Sequence, residues 1–167
     1  MPRSLREQIN KQEDFESPEQ EAMLNIARTA SLLDGATRAF FRQFELTSPT
    51  YNLLRILRGY AWKGHTEGVR ASEIGGQMVV RVPDVTRLVD RMCDRGLVGR
   101  GSCATDKRVK YVFITNKGLK LLEQIDPHIG SLHKQVLGHL SKQELSTISK
   151  LMVKARDEQG DHADAKR

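Results

Sequence analysis

The sequence predicts a mainly α-helical chain with one small β-hairpin set into it. Three observations carry that prediction. Apolar residues recur three and four apart through most of the chain, in segments that open on Ser or Thr caps. Two short runs break that period: Leu97-Val98 and Tyr111-Val112-Phe113-Ile114 read as strands around a polar, glycine-bearing tip at 101–110. Charge is also uneven. Residues 47–118 hold 13 Lys/Arg against 6 Asp/Glu, a net +7, whereas 1–46 come to −2 and 119–167 to +1.

Residues 1–16 are polar and mixed in charge, and read as a flexible arm. Ser17-Pro18-Glu19-Gln20 opens the first helix, with Ser17 as cap and Pro18 in the first turn. Its apolar face runs from Met23 and Ile26 to Phe40, Phe41 and Phe44. Leu46-Thr47-Ser48-Pro49 opens the second helix, with Ser48 read as cap and Tyr51, Leu53, Leu54, Ile56 and Leu57 inward. A loop with Gly64 and Gly68 follows, and Val69 is placed to add a short strand to the hairpin.

The third helix spans about 71–79, with Ile74 and Met78 inward. Its Gly75-Gly76 pair costs roughly 1 kcal/mol per residue relative to Ala. Close packing against a neighbouring backbone and a frayed helix both fit that pair. Pro83 suits the first turn of the fourth helix. There Val85, Leu88, Val89 and Met92 form one stripe, and Thr86, Arg87, Asp90, Arg91 and Arg95 fall outside it. Gly96 supplies the positive φ that ends such a helix. After the hairpin, Thr115 caps a fifth helix with Leu119, Leu122, Ile125, Leu132 and Val136 in its stripe; Pro127 interrupts it and is expected to kink it. Ser141-Lys142-Gln143-Glu144 is a capping box for a sixth helix, with Leu145, Ile148, Leu151, Met152 and Ala155 expected inward.

Composition excludes several classes of function. The length of 167 residues fits one domain. No apolar run reaches the length of a membrane span, so no membrane association is expected. The N-terminus lacks the apolar core of a secretion signal, so a cytoplasmic location is expected. Cys93 and Cys103 make neither a disulfide framework nor a zinc site, and the five histidines are scattered, so no metal or other cofactor is expected. Cys93 reads as core packing and Cys103 as a thiol on the hairpin tip. No phosphate-binding glycine loop, Ser/His/Asp order or buried carboxylate pair stands out, so an enzyme is not expected.

A short helix with Thr and Arg on its open face, followed at once by a basic hairpin, suits a winged helix-turn-helix. The helix fits the major groove of double-stranded DNA, and the hairpin tip reaches the flanking backbone or minor groove. The long apolar helices at both ends have no obvious partner inside that module. They are expected to pair with each other and with a second copy of the chain, along Met23, Ile26, Leu132, Val136, Leu145, Ile148 and Met152. The organisation is therefore an arm (1–16), a helical dimerisation region (17–45 and 116–158), a DNA-binding module (46–115) and a polar tail (159–167). Arg91 and Arg95 either clamp phosphate or pair with Asp90 and Asp94 on a solvated face. The alternative is an adaptor: a winged helix that binds protein instead of DNA, on a helical scaffold.

The chain resembles the MarR family of winged-helix transcriptional regulators. The resemblance rests on Leu46-Thr47, on Val85-Thr86-Arg87-Leu88-Val89-Asp90-Arg91, and on Gly96-Leu97-Val98 leading to Arg100. It continues through Asp106-Lys107-Arg108, Val112-Phe113-Ile114-Thr115 with Gly118, and Leu140-Ser141 with Glu144-Leu145. It implies a homodimer on a near-palindromic operator, most simply a repressor. It also implies that Thr86 and Arg87 face the major groove, with Arg81, Pro83 and Asp84 at the helix start. Asp84 serves equally as cap or as base contact. Asp106, Lys107 and Arg108 resemble the family's wing tip, with Arg108 in the minor groove, a site that favours Arg. A small aromatic or anionic effector is implied between the dimer helices and the DNA module. Its candidate walls are Phe40, Phe44, Tyr51 and Leu54, with Arg55 or Arg58 meeting an anion.

Overall fold

The computed structural model describes residues 3–65, 67–102 and 110–157. Its elements are α1 (Leu5–Gln8), α2 (Pro18–Arg42), α3 (Ser48–Trp62), β1 (Val69–Arg70), α4 (Ala71–Gln77), α5 (Val85–Asp94), β2 (Val98–Ser102), β3 (Lys110–Ile114), α6 (Asn116–Leu137) and α7 (Lys142–Asp157). This is a winged helix-turn-helix between long helices. The sheet is antiparallel in the order β1-β3-β2, with Val69 opposite Val112 and Val98 opposite Ile114.

Most helix starts follow the cap chemistry of the sequence. Ser17 accepts the Gln20 N–H at 3.2 Å, and Thr115 accepts that of Gly118 at 3.2 Å. At α7, Ser141 Oγ accepts the Glu144 N–H while the Glu144 carboxylate accepts the Ser141 N–H at 2.8 Å. Two starts shift. Thr47, not Ser48, caps α3, because Thr47 and Thr50 satisfy each other's backbone N–H groups and leave Ser48 already helical. Asp84 caps α5, so Pro83 precedes the cap and does not lie in the first turn. Gly96 takes φ +67° and ends α5 as its sequence position suggests.

Three further differences from the sequence reading have physical causes. The stretch read as a featureless arm contains α1, whose Ser4–Glu7 capping box supports a single turn and whose Leu5 is buried. α6 continues through Pro127; the proline removes one donor, while Ile125 and Leu132 on either side are buried and hold the helix down. α7 buries none of its residues within the chain, so Ile148 and Leu151, expected inward, are exposed. Gly75 accounts for its own place: a Cβ there would come within 3.3 Å of the Val85 side chain, so α4 and α5 approach closely at this point, against a side chain and not a backbone.

One apolar core joins the module to α6. Leu53, Leu54 and Leu57 of α3, Ile74 of α4, and Leu88, Val89 and Met92 of α5 pack with Val98, Val112 and Ile114 of the sheet and with Leu122 and Ile125 of α6. Gly118 is what lets α6 begin against the start of the wing. A Cβ at that position would stand 2.3 Å from the Leu97 carbonyl oxygen.

A buried ion pair reinforces the same junction. Arg58 of α3 is almost completely covered, and its guanidinium donates to both oxygens of Asp126 on α6, at 2.6 and 3.1 Å. Arg55 stands 3.7 Å from the same carboxylate. The hydrogen bond from Arg58, with its positive charge, holds the Asp126 carboxyl below the usual aspartate range, against the opposing effect of burial. Arg58 also lies over the ring of Trp62, 4.8 Å from its centroid.

Two stability predictions follow from this junction. Asp126→Ala strands a buried cation and is expected to cost on the order of 2 kcal/mol, less than a fully buried pair because the Asp126 side chain is 38% exposed. Arg58→Met, which removes the cation and fills its space, costs less. Because the folded pKa is depressed, the contribution of Asp126 is full above the unfolded value of about 3.9 and fades as the pH falls through the folded value. The gap between wild type and Asp126→Ala therefore closes in acid, read by urea melts followed through Trp62, the single tryptophan. Gly118→Ala forces α6 away from Leu97 and is expected to cost about 1–3 kcal/mol in the same assay.

Candidate nucleic-acid interface

α5 is divided lengthwise by its own sequence. Leu88, Val89 and Met92 are buried, and Val85 and Cys93 pack at the edge of the core. The other face holds Thr86, Arg87, Asp90 and Arg91, all exposed. The Asp84 carboxylate accepts the Arg87 N–H at 2.9 Å, which fixes the first turn and engages that acid with backbone. Among the described residues no carboxylate pairs with the side chains of Arg87 or Arg91.

The far end of the helix is tied down. Asp90 pairs with Arg100 of β2 at 2.6 Å, which locks the helix to the wing strand. Arg95 donates to the carbonyl of Glu45 and stands 3.3 Å from its carboxylate, at the turn between α2 and α3. Lys117 of α6 donates to the Arg95 carbonyl at 2.7 Å. The carboxylate partners suggested by sequence for Arg95, Asp90 and Asp94, are thus replaced by Glu45. These contacts hold the helix while the face bearing Thr86, Arg87 and Arg91 presents charge outward.

Of the residues read as DNA-binding, Arg81, Pro83, Asp84, Thr86, Arg87 and Arg91 are all exposed and gather around the start of α5. Asp106, Lys107 and Arg108 lie outside the described residues, as does Cys103. β2 and β3 extend toward them as far as Ser102 and Lys110.

The residues proposed as effector walls do not form one cavity. Phe40, Phe41, Phe44 and Tyr51 make an aromatic cluster, with Phe41 and Tyr51 stacked at 4.5 Å. Leu54 is wholly buried in the core, and Arg58 is spent on Asp126, so neither faces a ligand space. Arg55 borders a cleft of about 550 Å³ with Tyr60 and Lys63, whereas Phe44 borders a separate one of about 620 Å³ with Arg95 and Lys117. Sequence alone held a signal for Arg58. It falls on the same stripe as Leu54, and a cation on an apolar stripe requires a carboxylate partner. The Asp90–Arg100 pair had no such signal, since it depends on how the hairpin returns against α5.

Of the expected dimer seam, Met23, Ile26 and Ile148 are exposed, Val136, Leu145 and Met152 are half-buried, and Leu132 is already covered by its own chain. Leu32 and Leu151 are also exposed, at 66% and 55%. Among the described residues no three His, Cys, Asp or Glu are grouped to hold a metal, and no helix is long and apolar enough to cross a membrane.

Comparison with known proteins places this geometry. The MarR family model matches residues 46–110. The structure of a MarR transcription factor from Planctomyces limnophilus is 39% identical, with 83% of this chain and 98% of that one covered and a TM-score of 0.63. Two structures with less sequence in common share the fold. A MarR family transcriptional regulator from Streptomyces coelicolor in complex with DNA is 18% identical over 89% of this chain and 92% of its own, with a TM-score of 0.74. A mutant MarR from E. coli complexed with operator DNA is 21% identical over 86% and 99%, with a TM-score of 0.73.

The cap of α5 gives a direct test of how the interface is held. Asp84→Ala removes the acceptor for the Arg87 N–H and is expected to cost about 1 kcal/mol, whereas Asp84→Asn keeps most of it, measured by chemical denaturation.

Proposed function

The chain belongs to the MarR family of transcription regulators, and from that premise we propose that it is a homodimer that binds double-stranded DNA in a sequence-specific way through α5 and its wing, acting as a repressor. The observation that carries this reading is the division of α5. Its apolar face is sealed in the core, while Thr86, Arg87 and Arg91 project from the opposite face, left exposed by the described residues. A guanidinium so placed suits the paired acceptors of guanine in the major groove, and its neighbour one turn on suits a phosphate. The net +7 of residues 47–118 supplies the matching long-range attraction.

The dimer follows from unmet burial. An amphipathic helix of the length of α7 draws its stability from packing its apolar face, yet no residue of α7 is fully buried in its own chain. Ile148, Leu151 and Val153 of α7, with Met23, Ile26 and Leu32 of α2, are apolar side chains open to solvent, and grouped apolar exposure of this kind marks association sites. A two-fold partner covers it and sets two copies of α5 on one side, about one turn of DNA apart, which matches a near-palindrome. Release by a small ligand belongs to the same reading. The fold neighbours include a regulator from Rhodococcus jostii bound to p-coumaroyl-CoA. Such a ligand acts here only by favouring a spacing of the two modules that does not fit DNA.

Selection of bound fragments from random duplexes, followed by anisotropy titration, tests the DNA reading. Arg87→Ala is expected to weaken binding to the selected site by about 1–3 kcal/mol and to relax sequence preference. Binding that is absent, or indifferent to salt, favours the adaptor alternative. Sedimentation velocity tests the dimer: the wild type is expected to run as a dimer, and Ile26→Asp with Leu151→Asp as a monomer.

A further inference from the structure

A cleft of about 820 Å³ runs between α2, the first turn of α3 and the start of α5. One wall carries Arg87 and Arg91, one helical turn apart. The opposite wall carries Arg38 of α2, a residue of the long helix that the sequence reading placed in the dimerisation region. Three guanidiniums from two helices therefore face one groove beside the reading helix. We infer that Arg38 is a further DNA contact, made to the phosphate backbone and masked in the free protein by Asp34; this rests on the proposal that α5 reads DNA.

The balance of charge in the cleft supports it. Two carboxylates line the same space. Asp84 is committed to the α5 backbone. Asp34 pairs with Arg38 one turn away on α2, in a bridge whose side chains are 74% and 53% exposed. An exposed pair at this spacing is among the weakest ion pairs in a protein, so it yields readily to a stronger anion. A duplex strand supplies that anion as a row of phosphates carrying a condensed counterion layer, and each phosphate neutralised releases counterions. The groove also presents the Ser48 hydroxyl, which donates only a long 3.4 Å hydrogen bond to Thr37 and is free to turn toward a phosphate oxygen. A row of phosphates suits this groove better than a single small anion, because its cations are spread over two walls and one wall is the reading helix itself. Phosphate contact by Arg38 adds affinity without sequence preference, and it couples the dimer stem directly to the DNA.

The test uses the full chain and a fluorescein-labelled 30-base-pair duplex of mixed sequence, titrated between 50 and 200 mM NaCl. Arg38→Ala is expected to make the slope of log K against log salt shallower by about 1.8, the amount for one phosphate contact from each of the two protomers. Asp34→Asn is expected to bind the same duplex more tightly than wild type, since Arg38 is then unmasked. Both side chains are exposed, and sedimentation velocity confirms that the variants keep the wild-type assembly. If Arg38→Ala keeps the wild-type slope while Arg91→Ala loses slope, the Arg38 contact is overturned and the α5 reading stands. If both keep it, the α5 reading falls too. An unchanged or weaker Asp34→Asn overturns the masking.

Discussion

Everything the surface of this protein presents depends on how α5 is seated. Leu88, Val89 and Met92 enter a core shared by α3, α4, the sheet and α6. A helix has one rotation that buries such a stripe, and that rotation turns Thr86, Arg87 and Arg91 outward. The interface is thus a consequence of core packing. No separate device aims the arginines.

Seating alone leaves a ten-residue helix free to slide or tilt, and the polar contacts at its ends limit that. Asp84 closes the first turn. Asp90 reaches Arg100 on the wing strand, and Arg95 and Lys117 tie the last turn to the α2–α3 corner and to α6. Each contact is modest because each is partly exposed. Their value is positional: α5, wing and both flanking helices are referred to one another at a single corner. The Thr115 hydroxyl, donating to the Gly96 carbonyl at 2.8 Å, adds to the same joint.

The module and the stem meet at a second joint of different character. Arg58 and Asp126 are bound by a bidentate pair with the cation buried, so neither helix can shift without stranding a charge. A stiff joint of this kind transmits movement of α6 to the module. That is the property a dimeric regulator needs if a ligand or partner at the stem is to alter the spacing of two reading helices. The same joint explains why Arg58 cannot double as an anion contact.

Sequence by itself determined the local structure wherever the signal was chemical and short in range. Ser17, Thr115 and the Ser141–Glu144 box fixed helix starts, Gly96 fixed the end of α5, and the period of Val85, Leu88, Val89 and Met92 separated its two faces. The positive segment at 47–118 and the ordered motifs carried the family. Sequence misplaced the cap of α3 by one residue, because Thr47-Ser48 offers two local solutions, and it left Asp84 open between cap and base contact while placing Pro83 inside α5. Only the tertiary structure decided which charges find each other. Arg58 with Asp126, Arg100 with Asp90, Arg95 with Glu45, and Arg38 across from Arg87 are brought together by chain reversal and helix packing. Residue spacing does not encode those distances, and the energy of an ion pair depends on them directly.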